Sequence, residues 1–236
     1  MSVPRAGRPR LRVQRRPGST PRDEILDAAG ELFTTTGYNG TSTRTIAEAV
    51  GIRQASLYHY FKTKDEILCA LLSQTVTPTL EFIPLLTGAQ PSLAPEAKLH
   101  ALAAYDGMQL LSDRWNLGVL YLQPELRSAS LEPFWSARER LRFHYLSLAR
   151  AVVDSRGIDE AATDLPFRLV ESLVNVWAEH RAGNISMLAL HVADAGLRIL
   201  GVPEDQIQGL RTTTQRLCEP PGTEQLRLGA TKEQPE

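Results

Sequence analysis

The segment from Thr43 to Lys64 constrains this chain more than any other: two short amphipathic runs stand on either side of Gly51, too close together for either to fold alone. Ile46 and Ala47 before the glycine, and Ile52 and Leu57 after it, recur at spacings that turn them toward one another when both runs are helical. Ala47 is small where a second helix would press against the first, and Gly51 permits the sharp turn between them. Burying those four residues leaves Arg53, Gln54, Ser56, Tyr58 and His59 projecting from the second helix. That set is rich in groups that hydrogen-bond to base edges and phosphates. The pattern predicts a helix-turn-helix whose second helix, running from about Gln54 to Phe61, faces double-stranded DNA.

Charge is distributed to match. Residues 1–64 hold 11 Lys and Arg against 5 Asp and Glu, whereas residues 65–236 hold 15 against 22, so a net charge of -1 conceals a basic head and an acidic body. Local charge, not the sum, sets affinity for a polyanion. Seven arginines (Arg5, Arg8, Arg10, Arg12, Arg15, Arg16 and Arg22) and no acid lie in the first 22 residues. Residues 1–20 mix these arginines with Pro and Gly and few apolar groups, which predicts a flexible basic arm. Within it, Gly7-Arg8-Pro9-Arg10 is similar to the core of minor-groove AT-hook segments. Two readings stand side by side, an arm that enters the minor groove and a tail that merely raises the local potential.

After the arm, Thr20 as N-cap, Pro21 at the first helical position, and Asp23 and Glu24 in the first turn open a helix that Gly37 ends. Ser42 caps the next, and a fourth helix starts near Lys64. Further helices are predicted from Pro95 to Asp113, Trp115 to Tyr121, Leu131 to Ser155, Asp164 to Arg181 and Ser186 to Leu200, with residues 84–94 a loop. No strand is expected. The resulting division is an arm over 1–20, a helix-turn-helix domain over 21–66, a helical domain over 67–217 and a polar tail over 218–236.

Gly37-Tyr38, Thr41-Ser42, Ile46-Ala47, Gly51-Ile52, Leu57-Tyr58, Phe61 and Lys64 together resemble the headpiece of the TetR family of regulators, over about residues 22–70. The resemblance implies an all-α fold: an N-terminal three-helix helix-turn-helix headpiece followed by a C-terminal helical domain for ligand binding and dimerisation. It further implies that Thr43 meets a phosphate and Arg44 a guanine edge. Gln54, Ala55 and Ser56 would read bases, Ala55 through a thymine methyl. Arg53, Tyr58, His59, Tyr60 and Lys64 complete the DNA-binding set, the last four at phosphates. Family members often carry Ser-Lys-Gly where this chain has Arg53-Gln54-Ala55, so a relative's operator does not transfer.

For the second half the resemblance implies a homodimer, joined through the 164–181 helix and the last helix, whose Leu188, Val192, Ala195 and Ile199 form an apolar stripe. An apolar or aromatic small-molecule effector would lie among Tyr105, Met108, Trp115, Tyr121, Phe134, Trp135, Tyr145 and Trp177, with Arg138, His100 or His144 orienting a polar group. The overall function implied is a repressor that binds a palindromic operator and is released by its effector. The alternative is a regulator whose C-terminal domain docks a protein and not a metabolite.

Other classes find little support. Cys69 and Cys218 lack any C-x-x-C spacing, and His59 has no second ligand nearby, so no metal site is expected. No cofactor fingerprint or catalytic motif occurs, so no catalytic residues are assigned. The longest apolar stretches fall short of the roughly 18 to 20 residues a bilayer requires, and no apolar segment follows the N-terminal arginines. No membrane partner and a cytoplasmic location are the expectations.

Overall fold

The computed structural model describes residues 16–89, 92–112, 114–121, 129–154, 156–157, 159–180 and 185–218. Every regular element among them is helical. The chain divides into two compact units, one ending at Leu71 and the other beginning at Leu72.

The first unit holds α1 (Pro21–Thr35), α2 (Thr43–Val50), α3 (Gln54–Leu57) and most of α4 (Lys64–Gln74). Thr20 and Asp23 cap α1 reciprocally, each side chain accepting the other's backbone N–H. This satisfies two of the donors that a helix start leaves open. Ahead of the cap, Arg16 pairs with Asp27 at 3.3 Å and with Glu31, so residues 16–20 are tied to α1 and do not belong to the flexible arm expected over 1–20. The Gly7-to-Arg10 segment lies outside the described residues. Ile25, Ala28, Ala29, Phe33, Ile46, Ala47, Leu57, Phe61 and Ile67 form the core of this unit.

In the second unit, α6 (Pro95–Ser112) is the central strut, with buried residues along almost its entire length. Around it pack α5 (Thr77–Pro84), α8 (Glu132–Val153), α9 (Leu165–Glu171), α10 (Leu173–His180), α11 (Ile185–Ile199) and α12 (Glu204–Cys218); α7 (Gly118–Tyr121) is a single turn. Leu99, Leu102, Ala103 and Leu110 are buried as their spacing predicts. Small residues let α11 come close. A Cβ at Gly107 would lie 3.2 Å from that of Ala189, and one at Gly196 would lie 3.3 Å from Pro166 of α9;.

Several boundaries differ from the sequence reading. Leu85–Ala89 extends α5 as a π-helical turn where a loop is expected, because Leu86 is buried at that point. The predicted 164–181 helix is broken at Ser172, whose hydroxyl donates to the Leu169 carbonyl at 2.6 Å. Such side-chain donors compete for carbonyls that the helix ladder uses. Nearby, Asn116 donates to the Val174 carbonyl at 2.7 Å. Trp115 to Leu117 is not helical, and α7 begins at Gly118. Finally, α12 has no counterpart among the predicted helices, and it carries Cys218 into the helical domain and out of the supposed tail.

Candidate nucleic-acid interface

Two short helices place the candidate DNA-reading side chains. Ser42 accepts the Thr45 N–H at 3.0 Å and starts α2 so that Thr43 is its first residue. Gly51 ends it at φ 78°, a left-handed conformation that costs a residue with a Cβ more than it costs glycine;. Its N–H and that of Ile52 both return to the Ala47 carbonyl. The chain then re-enters helix at Gln54. Regular α-helix ends at Leu57, shorter than the predicted run to Phe61, although Tyr60 and Phe61 still donate to the Leu57 carbonyl. Ile46, Ala47 and Leu57 are buried beneath this surface, and Ile52 is half-buried.

With Leu57 fixed inward, Arg53, Gln54, Ala55, Tyr58, His59 and Tyr60 are all exposed and Ser56 is half-exposed. The two tyrosines are 39% and 44% exposed, which separates them from Phe61 at 3% and places them on the surface instead of in the headpiece core. Thr43, Gln54 and Tyr58 touch one another: Gln54 Nε2 donates to Thr43 Oγ1 at 3.0 Å and to the Tyr58 hydroxyl at 3.3 Å, and the two hydroxyls are 3.1 Å apart. On the outer face of α2, Arg44 reaches Glu48 at 2.8 Å, both side chains remaining well exposed. So loose a pair adds little stability and leaves the guanidinium able to exchange partners.

Lys64 is placed differently. Its ammonium donates to the carbonyls of Tyr38 and Thr41 at 2.8 and 2.9 Å and lies 4.0 Å above the Tyr38 ring. Tyr38 donates in turn to Asp65, and burial beside that carboxylate pushes its phenol up. Lys64 thus fastens the turn after α1 to the start of α4. Lys62 donates to the Tyr58 carbonyl at 3.2 Å, closing the recognition segment. The sequence missed this fastening because a lysine at the end of a DNA-reading motif carries no mark of which oxygen it will find.

The candidates for an effector site fall in separate environments. Phe134 and Tyr145 are fully buried, and Trp177 is 9% exposed. Tyr145 donates to Asp106 at 2.8 Å, and Thr79 donates to the other oxygen of that carboxylate at 2.8 Å. Burial holds the Asp106 carboxyl up at about 6. Tyr105 stacks on Phe82 with ring centroids 4.1 Å apart, and Met108 is half-buried on the same helix. Trp115 is half-buried beneath the Arg114 guanidinium, whereas the Tyr121 side chain lies outside the described residues. Trp135 is half-buried and, with Phe143 and His144, lines an open depression of about 800 Å³ on α8. Arg138 is engaged by Glu171, and His100 by Asp194 and Thr214. The structure therefore does not gather the seven candidates whose side chains are described into one site.

Among the described residues no cluster of His, Cys, Asp or Glu has the arrangement of a metal site, and no single helix is long and apolar enough to cross a membrane.

Comparison with known proteins agrees with this geometry. The sequence model of the family described as bacterial regulatory proteins, tetR family, matches residues 25–71, the segment that carries the helix-turn-helix. A fatty acid metabolism regulator protein of Bacillus subtilis is 26% identical over 163 residues, covering 65% of this chain and 81% of that protein. A transcriptional repressor, KstR2 of Mycolicibacterium smegmatis, is 43% identical over 47 residues, 20% of this chain and 23% of that protein. The likeness extends far beyond the headpiece in one solved structure, that of Mycobacterium smegmatis AmtR. It is 50% identical, covers 89% of this chain and 100% of its own, and superimposes with a TM-score of 0.79. An outward recognition helix on a three-helix head, a second helical unit, and an identity of this level over nearly all the chain have one explanation: this chain belongs to the TetR family of bacterial regulatory proteins.

Proposed function

We propose that the chain is a transcriptional repressor that binds a palindromic operator as a homodimer and leaves it when a small molecule occupies the C-terminal unit. The observation that carries this reading is the recognition surface: from Arg53 to Tyr60 every side chain except Leu57 is at least partly exposed, and Leu57 is fully buried beneath them. Arg44 at a guanine edge, with Gln54, Ala55 and Ser56 at neighbouring bases, supplies specificity; Thr43, Tyr58, His59, Tyr60 and Arg53 supply register. A dimer places two such surfaces roughly 34 to 36 Å apart, one helical turn of DNA. Support for the dimer comes from α11, where Met187, Leu188, Val192, Ala195 and Ile199 remain partly or fully exposed opposite a face that is buried. The effector acts by population shift, lowering occupancy through its preference for the conformer that fits DNA poorly. The cytoplasm, where operators lie, is the site of action that goes with this reading.

A second reading has its own observation. Phe143 is 63% exposed beside Trp135 on the outer face of α8, while Phe134 and Tyr145 are consumed by the core. These features favour a C-terminal unit that docks a protein.

The test is to incubate the protein with fragmented genomic DNA of its host and sequence what it retains. One enriched palindrome is expected, and retention of no duplex at low salt overturns the proposal. Arg44→Ala is expected to cost on the order of 1 to 3 kcal/mol, at one base pair of that palindrome. Release of the retained duplex by apolar or aromatic small molecules, or by a host protein that an α8 variant no longer binds, distinguishes the two readings.

A further inference from the structure

The contacts among Thr43, Gln54 and Tyr58 carry a consequence for which base the recognition helix prefers. Thr43 opens α2, Gln54 opens α3, and Tyr58 follows Gln54 by one helical turn, so three side chains from two helices converge at one point of the exposed surface;. Their separations of 3.0, 3.1 and 3.3 Å make a nearly equilateral triangle. The two hydroxyl oxygens therefore lie within a narrower angle, seen from Gln54 Nε2, than the angle between the two N–H bonds of a planar amide. One N–H can serve both oxygens, which leaves the second N–H and Oε1 for another partner;. A long exposed side chain ordinarily samples many rotamers and must be immobilised when it binds. Here the two hydroxyls supply that immobilisation in advance.

We propose that Thr43, Gln54 and Tyr58 act as one reading unit, in which the two hydroxyls hold the Gln54 amide with one donor and one acceptor presented to the edge of an adenine in the major groove. The remaining N–H of Gln54 donates to adenine N7, and Oε1 accepts from the N6 amine. Guanine offers two acceptors on the same edge and fails to match Oε1. Thr43 and Tyr58 are positioning residues, acting on base choice through Gln54. This goes further than a phosphate role for either and rests on the DNA-binding reading above.

The test uses the full chain and its enriched operator, with four duplexes that differ at the one pair whose preference Gln54→Ala abolishes. Wild-type protein is expected to favour adenine there by roughly tenfold over guanine. Tyr58→Phe and Thr43→Val, which remove one hydroxyl each from different helices, are both expected to erase that preference. Adding Gln54→Ala to either then changes nothing further at that pair. Because the two variants probe the same claim independently, loss of folding in one, read by circular dichroism, leaves the other decisive. The inference is overturned by Tyr58→Phe and Thr43→Val weakening all four duplexes equally with the adenine preference intact, or by a preference for guanine at that pair. Failure of the wild-type chain to hold any duplex at low salt overturns the DNA-binding reading itself, and this inference with it.

Discussion

Lys64 is a positive charge that the headpiece uses on itself. With two of its N–H groups on the carbonyls of Tyr38 and Thr41, its loss takes a donor from both, and the Tyr38 carbonyl keeps only the Thr41 N–H at 3.2 Å. Lys64→Ala is expected to lower the unfolding free energy by about 1 to 2 kcal/mol. Thermal melting followed by circular dichroism checks this. The slope of affinity against salt is expected to fall by less than the value of about 1 that a full phosphate contact carries. Asp106 presents the opposite case, a charge site held deep inside. Its carboxyl at about 6, against an ordinary 3.8, means that the folded state binds a proton more readily than the unfolded state between those values. Its contribution to stability therefore grows as pH falls through that window and is lost as pH rises, by up to about 3 kcal/mol. His100 runs the other way: burial holds its pKa below 6.5, so the unfolded chain takes up the proton first and stability drains away on acidification. Asp106→Asn removes one side of this opposition. Calorimetric melting of the variant is expected to fall more steeply than that of the wild type between pH 7 and 5. The sequence did not mark Asp106, and it offered His100 for a polar group on an effector and not for the buried contacts with Asp194 and Thr214, since an aspartate or histidine inside an amphipathic run looks the same whether it faces water or core.

At the scale of elements, legibility followed the source of each helix's stability. α1, α2 and α6 were readable because caps and apolar spacing act locally, through Thr20, Pro21, Ser42 and Pro95. The recognition surface was readable for the same reason: fixing Leu57 inward determines which neighbours point outward. α12 was not, because what fixes it is polar and distant in sequence. Ile207 and Thr214 are its buried residues, and Thr214 meets His100 at 2.7 Å. On the other side of the imidazole, Asp194 of α11 is 2.9 Å away, fully buried, and paired with Arg211 of α12. Pro203 stands just before the first turn, which carries Glu204 and Asp205;. Arg211→Ala leaves the buried Asp194 with His100 and the more distant Arg198 guanidinium at 3.9 Å, and a loss of about 2 kcal/mol is expected, discounted because the Arg211 guanidinium is part-exposed;. Hydrogen exchange should show α12 losing protection ahead of α6. The division of the predicted 164–181 helix at Ser172 was likewise invisible, as serine is tolerated in continuous helices and the competing bond depends on its rotamer.

For the molecule as a whole, the proposal depends on two copies meeting through α11. Val192→Glu would set a charge in the middle of the exposed stripe formed with Leu188, Ala195 and Ile199. Sedimentation is expected to show monomers, with operator affinity falling at least tenfold while melting changes little. If the variant stays dimeric, α11 is not the seam. The thiol of Cys218, at the end of α12, donates to the Ala101 carbonyl on α6, and burial pushes it up to about 12. A thiol so reluctant to ionise is nearly inert toward alkylating reagents while the helix stays seated. In a Cys69→Ser background its modification rate becomes a clock for the lifting of α12, one already built into the chain and readable with operator or candidate effector present.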